Sequence, residues 1–313
     1  MRGGSLGWRK SREAGARPLF PPQVVVQVKA LACELPSRTG VPLSRFSSNE
    51  IAREMMNRGI VANISGATVW RWLSEDAIRP WHHRSWIYPR DPDFETKAAR
   101  VLDLYQGIWQ GKGLKPNEYV LCADEKTSIQ ARIRTHESHS PAPGHAMRVE
   151  HEYHRGGAVV YLAAWDVRQA KLFGRCENSS GSAPFDRLIV DIMTQHPYDS
   201  AKRVFLVIDN GSSHRGQPCV ERLTKAWPNI VPVHLPVHAS WLNQIEIYFS
   251  IVQRKVLTPN DFESVHEVKA RLADFQDRYQ QIAKPFKWKF TRKDLTKLLR
   301  KLSKDYHTLK RAA

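Results

Sequence analysis

The chain has 313 residues, with 48 Lys and Arg against 31 Asp and Glu and a formal net charge of +17. That length supports one large domain with its own core beside a smaller one, and that charge favours a polyanionic partner, nucleic acid first. No apolar run reaches membrane-spanning length, the basic N-terminus lacks the apolar core of a secretory signal, and the four scattered cysteines (Cys33, Cys122, Cys176, Cys219) form no CxxC pair, so membrane, secreted and disulfide-framework classes give way to a cytoplasmic protein with reduced thiols.

Residues 1–22 read as an irregular basic segment with several glycines, prolines and arginines. A helix follows through "VVVQVKALACEL". In "FSSNEIAREMMNRGIVANISGATVWRWLSED", Ser47 with Glu50 three residues on predicts a capping box. Ile51, Ala52 and Met55 give a short helix its apolar face, and Gly59 ends it. Ser65 predicts the cap of a second helix carrying Val69, Trp70 and Leu73 inward. Two short helices around a tight connection predict a helix-turn-helix region over 23–80. Ala67, Thr68 and Arg71 then face outward, where a major groove would meet them. Residues 81–116 read as a Pro- and Arg-rich linker and a connecting amphipathic helix.

From Asn117 the pattern turns to strands. "EYVLCADEKTSIQA" predicts a first strand ending in acids. "MRVEHEYHRGGAVVYLAAWDV" predicts two strands about a turn at Gly156-Gly157. "AKLFGRCE" predicts a third strand. Helix and strand then alternate through "SAPFDRLIVDIMTQH", "KRVFLVIDN", "PCVERLTKAW" and "NIVPVHLP". "SWLNQIEIYFSIVQRKVL" closes the run as a long helix. The pattern predicts a mixed α/β sheet flanked by helices over 117–260, preceded by a small all-α region. Residues 261–313 form a basic C-terminal helical segment.

Three acids stand at comparable places. Asp124 follows "YVLCA" and Asp209 follows "VFLVI", both expected at the C-terminal ends of core strands, where open α/β sheets place their sites. Glu246 lies on the last helix beside an apolar stripe of Leu242, Ile245, Phe249, Val252 and Val256. Asn243, Glu246, Ser250 and Arg254 share the neighbouring polar face. Converging carboxylates repel and call for a cation. Hard oxygen donors suit Mg²⁺, or Mn²⁺. Two such ions about 3.5–4 Å apart serve an in-line phosphoryl displacement. Asn210-Gly211 lets the backbone turn away behind Asp209.

The blocks "LCADEKTSIQA", "LVIDNGSSHRG" and "LPVHASWLNQIEIYFSIVQRKVLTPNDF" closely resemble the three motif blocks of bacterial insertion-sequence transposases of the mariner-like DDE superfamily (the IS-six-thirty group). The 36 residues between Asp209 and Glu246 fit that family's spacing, and the resemblance covers roughly residues 25–300. It implies a ribonuclease-H-like core with Asp124, Asp209 and Glu246 as the metal-binding catalytic triad. Asn210 and His214 match the polar positions after the second Asp, and Trp241 and Asn243 those before the Glu. The resemblance also implies Mg²⁺-dependent cleavage at terminal inverted repeats, then attack of the freed 3′-hydroxyl on target DNA at TA. Joining two ends implies a homodimer on double-stranded DNA, in the bacterial cytoplasm at the nucleoid. The family carries a complete helical module ahead of the one at 46–74. The opening "MRGGSLGWRKSREAGARP" does not look like that module, so the resemblance leaves two alternatives, an N-terminally truncated copy or a start placed wrongly, and supports end recognition less than it supports the chemistry.

Arg132 and Arg134, past the first acid block, and Arg254 and Lys255, after Glu246, are expected to contact the DNA backbone. In the tail, "KPFKWKF" offers either phosphate contacts with aromatic packing on DNA or a helical segment docked on the core through Leu295, Leu298, Leu299 and Leu302. His136, His139, His145, His151 and His154 suggest zinc only weakly, because neither "HESH" nor "HEYH" has the HExxH spacing. "GSSHRG" lacks the G-x-S-x-G of a serine hydrolase, since Arg215 stands where Gly is needed. Two other functions compete with transposition: a decayed or domesticated DNA-binding descendant, and a structure-selective nuclease sharing the core.

Overall fold

The computed structural model describes residues 20–83, 89–211, 214 and 216–311. The basic stretch 1–19, part of the linker (84–88), and Ser212, Ser213 and Arg215 of the "GSSHRG" block lie outside the described residues. The chain divides into two compact units, Met1–Ile87 and Tyr88–Ala313.

In the first unit, three helices close on one small core: α1 (Pro22–Ala32), α2 (Ser48–Asn57) and α3 (Gly66–Glu75). Val28, Ile51, Met55, Val69 and Leu73 meet there, all fully buried. The capping box forms in both directions: Glu50 N–H donates to Ser47 Oγ, and Ser47 N–H donates to Glu50 Oε2 at 2.6 Å. Ser65 caps α3 through the Thr68 N–H. Two expectations are corrected. The connection Arg58–Ser65 is longer than a tight turn. Trp70 is 55% exposed rather than inward, because Val69 and Leu73, four apart, already define the buried stripe and Trp70 falls beside it.

In the second unit, α4 (Phe94–Tyr105) leads to a small hairpin, β1 (Ile108–Trp109) and β2 (Lys112–Gly113). The main sheet holds β3 (Glu118–Ile133), β4 (His154–Asp166), β5 (Leu172–Glu177), β6 (Arg203–Ile208) and β7 (Ile230–His234), in the order β5-β4-β3-β6-β7. β3, β4 and β5 are antiparallel, while β6 and β7 run parallel to β3. The period-two alternation of the strands feeds two cores. Val120, Cys122 and Trp165 face α4, α7 (Ile245–Lys255), α8 (Val265–Gln280) and α9 (Arg292–Arg311). Leu121, Ala123 and Leu162 face α5 (Ser182–Met193) and α6 (Gly216–Ala226). This is the mixed sheet flanked by helices that the pattern predicts. α4 and α8 pack into its core with their apolar faces.

β3 corrects two further expectations. It does not end at the acids but runs on to Ile133, with register shifts at Lys126/Ile129 and Gln130/Arg132 and Ser128 at φ 58°. Gly156 and Gly157 make no hairpin turn; both lie inside β4. A Cβ on Gly156 would sit 2.7 Å from Ile133 Cδ1, and Gly157 has φ 105°. These glycines serve close approach and bulging, the other use of Gly in a strand. The excursion 134–153 joins β3 to β4, pinned by a bridge between His139 and Arg148.

The segment before α9 alternates. Phe286, Trp288 and Phe290 turn inward, onto Trp165 (4.6 Å between ring centroids), Tyr105 (5.3 Å) and Trp241 (5.2 Å). Lys284, Lys287 and Lys289 are exposed between and beside them. The aromatic residues considered for DNA are therefore engaged with the core, and Leu295 and Leu302 of α9 are buried with them.

Candidate active site

The parallel pair β3–β6 ends in register at Cys122 and Val207. β6 stops at Ile208, so the far half of β3 keeps β4 on one side and opens on the other. Asp124 stands two residues past the last paired position and Asp209 one residue past the end of β6. Asp124 is thus inside a strand and paired opposite Ala163. It reaches the same edge as Asp209 because β6, not β3, terminates. Two rigid hydrogen-bonded strands fix both carboxylates at one height.

Among the described residues, one group of metal-capable side chains converges: Asp124, Asp209 and His214, with one ligand atom of each within 4.8 Å of the others. His214 is fully buried, its Nε2 2.5 Å from Asp209 Oδ1 and 3.7 Å from Glu125 Oε2. The same Asp209 oxygen accepts the Gly211 N–H at 2.6 Å. The His214 ring rests against Phe185, and the His214 backbone carbonyl accepts a hydrogen bond from His234 Nε2 at 2.7 Å.

Glu246 does not join that tight group. It sits exposed in the first turn of α7, close enough that Asp209 raises its pKa. Asn243 is not on the polar face of a long helix, as the stripe suggested. It follows a short 3₁₀ turn, Ser240–Leu242, and is buried. Its Nδ2 donates to Ala123 O at 3.1 Å and lies 3.4 Å from Asp124 Oδ2. Its Oδ1 accepts the Ile245 N–H at 3.4 Å. Asn243 therefore ties the start of the Glu246 helix to the Asp124 strand. Asn210 ties the Asp209 turn to the end of β7 through Leu235 O at 2.7 Å. Trp241 is half-buried on Phe290. Two residues without a marked signal complete the frame. Tyr105 donates to Leu242 O at 2.8 Å, and Asp91, almost fully buried, accepts the Val237 N–H at 2.9 Å while pairing with Lys97.

The electrostatics follow from crowding. Burial and the Asp209 charge push the Asp124 carboxyl up to about 7. Burial also lifts Asp209, but the His214 and Gly211 donors outweigh it and hold the group below the usual carboxylate range. Burial opposes charge on His214, and its hydrogen bond to Asp209 overcomes that and raises it. Partial burial raises Glu246, Lys126 pulls it back, and Asp209 adds to the rise. Carboxylates crowded in this way favour a cation between them. Their hard oxygens fit Mg²⁺ or Mn²⁺, so the residues present suit the divalent ions that the motif implies.

Sequence reasoning missed Glu125 and Lys126. Both follow Asp124 directly, which was the available signal. The candidate DNA contacts separate on inspection. Ala67 and Arg71 are exposed, and Thr68 is half-buried with its hydroxyl 3.0 Å from Ser65 Oγ. Arg254 and Lys255 are exposed, Arg254 donating to Ser250 Oγ at 2.6 Å. Arg132 lies over the Tyr153 ring at 4.7 Å. Arg134 is committed inside the fold: its guanidinium donates to the carbonyls of Glu150, His151 and Glu152, and to Asn260 O at 3.0 Å. The histidine-rich excursion contains no metal-capable cluster among the described residues; His136 is used on Glu150.

No curated protein sequence matches the chain. Among solved structures it is similar to the Mos1 mariner paired-end complex with Mn, at 15% identity and TM-score 0.52, over 87% of this chain and 77% of that one. It is similar to the pre-cleavage Mos1 transpososome at 14% identity and TM-score 0.54, over 94% and 82%. It is also similar to the Mos1 strand transfer complex at 12% identity and TM-score 0.52, over 94% and 80%. At such identities the likeness establishes a ribonuclease-H-like fold. Residues 119–269, the stretch holding all three acids, match the family model of the DDE superfamily endonucleases.

Proposed function

We propose that the chain is a DNA transposase that cuts at the terminal inverted repeats of an insertion sequence and joins the freed 3′ ends to TA target sites. The observation that carries this reading is the Asp124–Asp209 pair, crowded until one carboxyl is lifted to about 7, inside the stretch that matches the DDE endonuclease family. Asp124, Asp209 and Glu246 would hold two Mg²⁺ or Mn²⁺ ions. Bound there, such ions activate a water or 3′-hydroxyl and neutralise charge on the phosphate.

The protein's own part is positioning, the main requirement of phosphoryl transfer. β3 and β6 hold the two aspartates rigidly. His214 and the Gly211 N–H fix the rotation of the Asp209 carboxylate. Asn243 couples the Glu246 helix to Asp124. The helix-turn-helix presents Ala67, Thr68 and Arg71 to the terminal repeat, and a homodimer brings two ends together. The mariner neighbours, whose descriptions name paired-end and strand transfer complexes, support this assignment by analogy of fold. Among the described residues no helix is long and apolar enough to cross a membrane.

The test is an assay on supercoiled plasmid carrying the inverted repeats that flank the gene, comparing Mg²⁺, Mn²⁺ and EDTA, with Glu246→Gln as control. Nicking at the ends and joining at TA, lost in EDTA and in Glu246→Gln, is the expected result. Binding without cutting would identify a decayed or domesticated copy. Cutting without regard to the repeats would identify a structure-selective nuclease.

A further inference from the structure

Beyond its acids, β3 carries a bulged stretch that ends at Arg132, and two cavities lie along it. The first, about 250 Å³, is bordered by Lys126, Ser128, Gln130 and Arg132. The second, about 450 Å³, is bordered by Arg132, His151, Tyr153 and Thr258. Arg132, Gln253, Leu257 and Asn260 border both, so the two form one trough. Its near end begins at Lys126, whose charge reaches Glu246. Where the two cavities join, the Arg132 guanidinium lies on Tyr153, and its buried Nε finds no hydrogen-bond partner among the described residues.

The walls are built for this. Asn260 accepts the Arg132 N–H at 3.1 Å and donates to Gln130 O at 2.8 Å, holding the bulged strand to the segment after α7. Arg134 binds the other wall through backbone carbonyls. Glu150, the acid on the rim, is engaged with His136 and the Thr135 N–H. One arginine is used to build the trough and another is left lining it.

We propose that this trough receives an unpaired stretch of the DNA strand leaving the active site, with Arg132 meeting a phosphate and Tyr153 an unstacked base. The proposal rests on the transposase reading and adds a site to it. A guanidinium fork matches phosphate oxygens. Aromatic rings and arginine planes are the platforms on which single-stranded bases stack without regard to sequence. A recess of this volume accommodates a nucleotide-sized group, whereas a duplex is too broad to enter it.

The experiment measures affinity of the whole protein, in EDTA so that no cutting occurs, for a blunt duplex and for the same duplex with a short single-stranded extension. A 2-aminopurine in the extension reports stacking. The extension is expected to tighten binding about tenfold and to quench the probe. Tyr153→Ala and Arg132→Ala should each remove most of that ratio, and Tyr153→Phe should retain it. Equal affinity for the two DNAs in the parent protein would overturn the proposal, and so would a preference that survives both alanine variants. The plasmid assay reads the parent function separately. A protein that cuts at its ends yet ignores the extension loses only the trough. One that prefers the extension yet never cuts keeps the trough and loses the transposase assignment.

Discussion

At Asp124, burial and a neighbouring charge act in the same direction. Its folded-state pKa, about 7, lies above the ordinary 3.8. The metal-free native state therefore binds a proton at Asp124 that the unfolded chain has already released, and the contribution of Asp124 to stability falls as pH rises from about 4 to about 7, then levels off. Asp124→Asn removes that cost. At pH 8 without metal the variant should be more stable by on the order of 1–3 kcal/mol. The gain should shrink towards pH 5, and end cleavage should be abolished. Thermal melting at both pH values checks it, and an equal gain at both would mean the charge is not the cause. Arg134 gives the opposite kind of prediction. Because its guanidinium closes on four backbone carbonyls, Arg134→Ala should lower stability by roughly 1–3 kcal/mol. The salt dependence of DNA binding should stay the same, as titration at several salt concentrations would show.

Gly66 shows what the helical elements demand. It opens α3 against α2, and a Cβ there would fall 1.8 Å from Asn49 Oδ1 and 3.2 Å from its Cα. The side-chain oxygen can swing away but the backbone cannot, so Gly66→Ala should separate the two helices slightly. The expected cost is about 1–3 kcal/mol to the first unit. Specific binding of terminal repeats should weaken, while the melting of the second unit stays put. Both transitions can be followed by calorimetry. Elements of this kind were legible because their signals are local: Ser47 with Glu50, Ser65 before α3, and the apolar runs of β3 and β6. The strand-end position of Asp209 was legible for the same reason. What the sequence hid depends on partners far along the chain. The end of β6, not anything near Asp124, decides that Asp124 meets an open edge. Gly156-Gly157 carries the composition of a turn, and only the approach of Ile133 and Val265 makes it a strand. Phe286, Trp288 and Phe290 sit among lysines as a nucleic-acid platform would, and only Trp165, Tyr105 and Trp241 reveal what they cover. His214 was singled out by its place behind the second Asp of the motif, but its hydrogen bond to Asp209 and its approach to Glu125 required the fold.

Over the whole molecule, charge is a binding term rather than a folding one. Residues 251–313 hold 16 Lys and Arg against 7 Asp and Glu, so the excess concentrates in the C-terminal part. Binding to duplex DNA should weaken linearly in log–log form as salt rises, with a slope near −0.9 per phosphate neutralised. Replacing Lys255 by Ala should reduce that slope by about 1. A flat salt profile would mean that the +17 has no footprint on DNA. Asp91 has a consequence for how this protein can be divided. That carboxylate stands before the first helix of the larger unit, yet it holds the Val237 N–H, 146 residues away, in the loop that leads to Trp241, Asn243 and Glu246. A fragment trimmed to begin neatly at Phe94 would look complete by its helices and strands and would still have lost a fastening of the loop that leads to Asn243 and Glu246. The workable cut falls upstream, at Tyr88, where the fastening stays on the same piece as the loop it secures.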